Sequence, residues 1–313
     1  VLVRHGNARR AAGRRRVSVT MRRMDQRLAD LLHILQLEQL EVNLFRGESR
    51  DIGAPQVFGG QVLGQALVAA SRTVEGRACH SLHAYFLRRG DFNAPIVYQV
   101  DRSREGHSFT TRRVVAIQHG AQVFHMSCSF QVPEEGLDHA PTMPEAPPPE
   151  SLSDFENYRQ ELVAQLPEKI SRFFEHRRPF EFRPVQMPDF LDPKVLPPRK
   201  LVWFRTVDRV PSDDPVLHRN LLAYVSDYNL LDTSPQPHGR SFLHLQMASI
   251  DHAMWFHRPF RIDDWLLYSV DSPSASGARG FARGEVYTRD GRLVASTAQE
   301  GLIRLRERAA PRS

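Results

Sequence analysis

Hydrophobic positions recur along this chain with two periods, and the switches between them mark out its elements. From Asp25, "DQRLADLLHILQ" sets Leu28, Leu31, Leu32 and Leu35 on one face, which predicts an amphipathic helix with Asp25 as N-cap. "LEQLEVNLFRG" then alternates Leu40, Val42 and Leu44, the period of a half-buried strand. Helical spacing returns in "PQVFGGQVLGQALVAASRTV", where Val62, Leu63, Ala66, Leu67 and Ala70 predict a long buried helix and Gly59, Gly60 and Gly64 allow close backbone approach. Three strands follow over residues 93–132, the last two joined at His119-Gly120 as a hairpin.

The same order recurs downstream. "DPVLHRNLLAYVSDYNLLD" spaces Leu217, Leu221, Leu222 and Val225 as a second helix, with Asp227 near its end. Residues 261–304 again read as three strands, with a turn at Asp290-Gly291 of the kind that favours a type I′ hairpin. Two motifs strengthen the parallel: "HSLHAYFLRRGDF" and "MASIDHAMWFHRPF" share His-Ala at 83 and 252, and each leads to a Gln, Gln131 and Gln299, after 48 and 47 residues. Self-similarity at a fixed spacing indicates an internal duplication. Each copy holds one helix and several sequential antiparallel strands. The division expected is a half over 24–135, a Pro-rich linker with one helix over 136–200, and a second half over 201–313.

Charge changes this picture at one end only. The chain of 313 residues carries a formal +6, but residues 1–23 hold eight Arg and no acid, so the remainder is close to neutral at −2. An Arg-rich, acid-poor stretch fits a transit peptide, a nucleic-acid arm or a start that overruns Met21 or Met24, and it is read here as a disordered, dispensable leader. The neutral body argues against a nucleic-acid face. No apolar run approaches the roughly 20 residues that span a bilayer, so no membrane span is expected. Cys79 and Cys128, both in apolar surroundings, fit reduced buried thiols and a cytoplasmic protein. His80 and His83 have no further ligands clustered near them, so no metal site is expected.

Nucleophile elbows, paired cysteines, zinc helices and phosphate loops are all missing from the sequence. What remains is a set of short polar side chains within apolar segments: Asp227, Ser249 and Gln299. A carboxylate can take a proton from water while a hydroxyl and an amide hold that water or a carbonyl in line. Each alone is also an ordinary surface or locally bonded residue, and spacing does not bring them together.

"PQVFGGQVLGQAL", "HSLHAYFLRRGD", "SDYNLL", "SIDHAMWFHRPF", "WLLYSVDSPSASGARGF" and "ASTAQEG" together resemble the acyl-CoA thioesterase II family of TesB type, over about residues 28–306. The resemblance implies an α+β double hotdog, two sheet-wrapped helices at 57–73 and about 215–230 whose sheets join into one. It implies hydrolysis of fatty acyl-CoA thioesters by water, with an acid, hydroxyl and amide triad at Asp227, Ser249 and Gln299, and no cofactor or metal. Ser249 stands where some bacterial relatives have Thr. In the first half only Gln131 is expected to survive from that set. Backbone N–H groups near Gly59 and Gly60, at a helix start, are expected to hold the oxyanion. The aromatics of "MASIDHAMWFHRPF" read as strand and pocket wall, and Asp251 and His252 as structural. A homo-oligomer, dimer or tetramer, is expected. Two alternatives remain: a hotdog enoyl-CoA hydratase, for which Asp232 and His238 are the available pair, and a non-catalytic acyl-CoA-binding protein.

Overall fold

The computed structural model describes residues 23–306; the leader expected over 1–23 lies, except for Arg23, outside the described residues. Helix α1 (Gln26–Ile34) forms where the leucine spacing predicts it, and the Asp25 side chain accepts from Arg27 N–H as its cap. The alternation after it predicts one strand. It is instead a hairpin, β1 (Glu38–Glu41) and β2 (Leu44–Gly47), at the margin of the sheet, which leaves Leu40 and Val42 exposed and buries Phe45.

Helix α2 (Gly59–Ser71) and strands β3 (Ala78–Phe86), β4 (Ile96–Glu105), β5 (Phe109–Gln118) and β6 (Ala121–Gln131) complete the first half. The stretch 136–200 does more than cross the surface. It forms α3 (Phe155–Val163) and α4 (Glu168–Glu175), then adds β7 (Phe180–Pro184), whose Phe180 and Phe182 are buried, and the first residues of β8 (Arg199–Thr206). Two inward rings on a five-residue segment gave too short a pattern to stand out among prolines. The second half continues with α5 (Pro215–Ser226), β9 (Leu245–Ser249), β10 (Asp251–Phe256), β11 (Leu266–Ser276), β12 (Arg279–Thr288) and β13 (Leu293–Leu305).

All of these strands join one antiparallel sheet in the order β1-β2-β4-β5-β6-β3-β10-β13-β12-β11-β8-β7, with β9 also paired to β13. The order is symmetric about the β3–β10 pair, so the duplication seen in sequence is a pseudo-twofold in space. Both central helices pack against the sheet and against each other in an antiparallel sense: Gly64 lies against Asn220, Gly60 against Tyr224 and Gly59 against Asp227. Turn chemistry separates the two hairpins. His119 and Gly120 both adopt positive φ (51° and 73°), which makes the type I′ turn, whereas at Asp290-Gly291 only Gly291 does.

Strand register corrects the alignment of the two halves. Tyr98 and Tyr268 point inward at matching places; Tyr98 pairs with Ala116 and Tyr268 with Val286, which in turn pair with Phe124 and Ala295. Phe124 lies opposite Phe86, and Ala295 opposite Phe256. Four residues along the same ladders, Cys128 therefore corresponds to Gln299 and Leu82 to His252. The two His-Ala motifs are out of step by one residue, which in a strand reverses the face. His83 is exposed while His252 is fully buried. Gln131, half-exposed and donating to Glu134 at 3.3 Å, is not the counterpart of Gln299.

Helix contact should be more sensitive at Gly60 than at Gly64. A Cβ on Gly60 would sit 2.1 Å from the backbone oxygen of Tyr224, whereas one on Gly64 meets nothing nearer than 3.3 Å. Gly60→Ala is expected to destabilise the protein by about 1–3 kcal/mol or more, and Gly64→Ala to be close to neutral because helix propensity offsets mild crowding. Denaturant midpoints of the two variants check this, and equal midpoints would refute the tight contact at Gly60.

Candidate active site

The C-terminus of α5 supplies the acid. Asp227 is the C-cap residue, still in right-handed helical conformation, and the chain leaves the helix through Asn229 at φ 65°. The half-buried carboxylate thereby faces the sheet at the point where β9 gives way to β10. That break is built by Asp251, whose side chain accepts from Glu300 N–H at 2.6 Å while Ile250 N–H donates to the Glu300 carbonyl. Ser249 ends β9 opposite Gly301 of β13, and Gln299, two residues along β13, points to the same side.

These placements bring all three predicted residues together. Gln299 Nε2 donates to Asp227 Oδ1 at 2.8 Å, and Ser249 Oγ donates to the same oxygen at 3.3 Å. Oδ2 is left toward α2: a Cβ on Gly59 would lie 2.7 Å from it. Gly59 and Gly60 open that helix, where N–H groups have no intrahelical acceptor, and Phe58 before them provides no side-chain cap. The positive end of α2 thus borders the acid of the other half.

Behind these three residues lies a second layer built on His252, which the sequence motif marks only as structural. Gln299 Nε2 is also 3.2 Å from His252 Nδ1, and His252 Nε2 is 3.0 Å from Ser226 Oγ, which donates to the Ala223 carbonyl at 3.0 Å. Since the Ser226 proton is committed, His252 must donate from Nε2 and accept at Nδ1. This fixes the amide of Gln299 with its NH₂ toward Asp227. Its Oε1 is buried and has no partner among the described residues. A conspicuous buried His beside a catalytic candidate was the available signal, and the faulty match to exposed His83 concealed it.

Other candidates do not converge. Asp232 pairs with Lys200, and no hydrogen bond joins it to His238, so the hydratase pair is not assembled. No cluster of metal-ligating side chains occurs among the described residues, and no helix among them is long and apolar enough to cross a membrane. Cys79 and Cys128 are buried and free, and burial raises the Cys79 thiol to about 12.

Comparison with known proteins gives the family. A family model described as acyl-CoA thioesterase matches residues 170–302, and one described as acyl-CoA thioesterase N-terminal domain matches 46–131. Acyl-CoA thioesterase 2 of Haemophilus influenzae is 44% identical over 91% of this chain and 100% of its own length. The chain belongs to the acyl-CoA thioesterase family. Human acyl-coenzyme A thioesterase 8 is 40% identical over 87% of this thioesterase and 88% of its own length. The crystal structure of acyl-CoA thioesterase II TesB2 from Mycobacterium marinum superposes with a TM-score of 0.73 at 44% identity, covering 88% of this chain and 99% of that one. A hot dog fold protein from Alicyclobacillus acidocaldarius, at 19% identity, has a TM-score of 0.72 over 88% of this chain and 98% of its own. The fold of this thioesterase is the double hotdog.

The His252 layer makes stability depend on pH. Burial holds the His252 pKa below its usual 6.5, with the Asp227 charge acting in the opposite direction. Below about pH 6.5 the unfolded chain binds a proton there that the folded protein does not, so acidification favours unfolding until the depressed folded pKa is passed. For this one site the slope is at most about 1.4 kcal/mol per pH unit. Denaturation between pH 7.5 and 5 should give a shallower loss for His252→Gln than for the parent, and equal slopes would mean that His252 does not stay neutral on folding.

Proposed function

We propose that this thioesterase hydrolyses fatty acyl-CoA to free acid and CoA by direct attack of water, with Asp227 as base and Ser249 and Gln299 as its orienting partners. One observation supports this above the rest: two donors occupy Oδ1 of Asp227 while Oδ2 and the buried Gln299 Oε1 are left as acceptors. A water that donates one proton to each would have its lone pair free for the thioester carbon. Attack passes the proton facing Asp227 to Oδ2 and places negative charge on the carbonyl oxygen, which accepts hydrogen bonds from the N–H groups of Gly59 and Gly60. Collapse breaks the C–S bond, and the thiolate recovers the proton from Asp227. Gly60 also serves helix packing, so its contribution here is through the backbone.

Phe58, Phe86 and Tyr228 border this end of the helices and form apolar walls suited to an acyl chain of medium to long length. Two buried free thiols agree with a cytoplasmic location. A homo-oligomer of already paired hotdogs is the assembly proposed, and light scattering that gave a monomer at working concentration would contradict it.

Thiol release from saturated acyl-CoA tests the chemistry, since a hydratase cannot turn over a saturated chain and a non-catalytic binder releases no thiol. Asp227→Asn should lower kcat by on the order of 10² to 10⁴ with folding intact. Gln299→Ala and Ser249→Ala should lower it too, while Gln131→Ala should behave as the parent. Near-normal turnover by folded Asp227→Asn would remove the assignment.

A further inference from the structure

Arg178, between α4 and β7, differs from the cations around it. Its guanidinium lies 4.9 Å from the Tyr228 ring centroid, 5.2 Å from that of Phe155 and 5.7 Å from those of Phe173 and Phe182. Residues of α3, α4 and β7 thus close an aromatic cage over the C-terminal end of α5. No carboxylate or other acceptor engages the guanidinium among the described residues, although a guanidinium carries five donors.

Nearby acids are committed elsewhere. Glu156 binds Arg159 and Arg177, Asp232 binds Lys200, and Asp154 caps α3 through Glu156 N–H. Lys200 adds positive potential at Arg178, and desolvation lowers the pKa of both. By contrast, the arginines around the surface depression at Trp265, at the far end of α5, are paired: Arg205 with Glu181, Arg261 with Asp263 and Arg289 with Glu150. Arg178 is half-buried, and none of its guanidinium nitrogens is among the unpartnered atoms sealed from solvent.

Tyr228 follows Asp227 in the chain, which limits the distance from the Asp227 Cα to the guanidinium carbon to about 13 Å. A substrate whose thioester rests at Asp227 reaches that far in either direction. We infer that Arg178 is a substrate-binding residue that takes an anionic oxygen group of the thioester substrate, a phosphate of CoA or a carboxylate at the far end of the acyl chain. The rings exclude water from one face and hold the guanidinium fixed, and the anion supplies the acceptors that the protein withholds.

The inference rests on the thioesterase reading, and the parent protein controls for it: without thiol release from acyl-CoA by the parent, that reading fails first. Arg178→Met keeps the apolar stem and removes the charge, and Arg178→Lys restores the charge. Steady-state kinetics on three thioesters separates the sources: a saturated acyl-CoA, the same acyl group on pantetheine, and an ω-carboxyacyl-CoA. Arg178→Met should raise KM by on the order of 10- to 100-fold for substrates bearing the recognised anion, with kcat largely kept and partial recovery in Arg178→Lys. A rise on both CoA thioesters but not on the pantetheine thioester identifies a CoA phosphate. A rise confined to the ω-carboxyacyl-CoA identifies the acyl carboxylate. Equal loss on all three, or no loss on any, overturns the proposal and leaves Arg178 a packing residue.

Discussion

Everything at the candidate active site depends on how closely the two central helices approach. Gly60 packs onto the backbone of Tyr224 where a methyl group would not fit, and that contact sets the start of α2 beside the end of α5. Asp227 needs this neighbour. A carboxylate at the C-terminus of its own helix faces the negative end of that helix dipole, and the uncapped N-terminus of α2 supplies the opposite sign a few ångströms away. Neither half could build such a site by itself, because the acid comes from one and the positive helix end from the other.

The proposed triad is confined to one side of the pseudo-twofold for a related reason. At the places of His252 and Gln299 the first half has Leu82 and Cys128, both buried, so the layer that holds the amide in the second half is apolar in the first. The space near the end of α2 is taken by Arg112, fully buried, which donates to Thr73 Oγ1 at 2.7 Å and to the Thr73 carbonyl at 3.0 Å. That interior is closed by hydrogen bonds within the half itself. One half carries the proposed triad, and the other brings the helix terminus that faces it.

Much of this was legible in the sequence, because the strong signals are periodic. The two buried helices, the later strands of each half and the duplication follow from spacing alone, and the elements that escaped are those with little period to show. β7 is five residues among prolines, and β1 with β2 is a marginal hairpin whose alternation does not correspond to burial. The triad was another matter. Asp227, Ser249 and Gln299 come from a helix end, a strand end and a different strand, so their convergence depends on the sheet register and on the break at Ile250, and neither can be read from residue types.

Register also explains the one misleading match. Identical His-Ala pairs aligned the halves one residue out of step, and because a strand alternates faces, that single step exchanged a surface histidine for a buried one. Inward aromatics are the safer guide: Tyr98 with Tyr268 and Phe86 with Phe256 keep their places because the core on both sides of the twofold requires rings there. A polar motif on a strand carries no such constraint. It recurs on either face, and only the residues that fill the core report which face is meant.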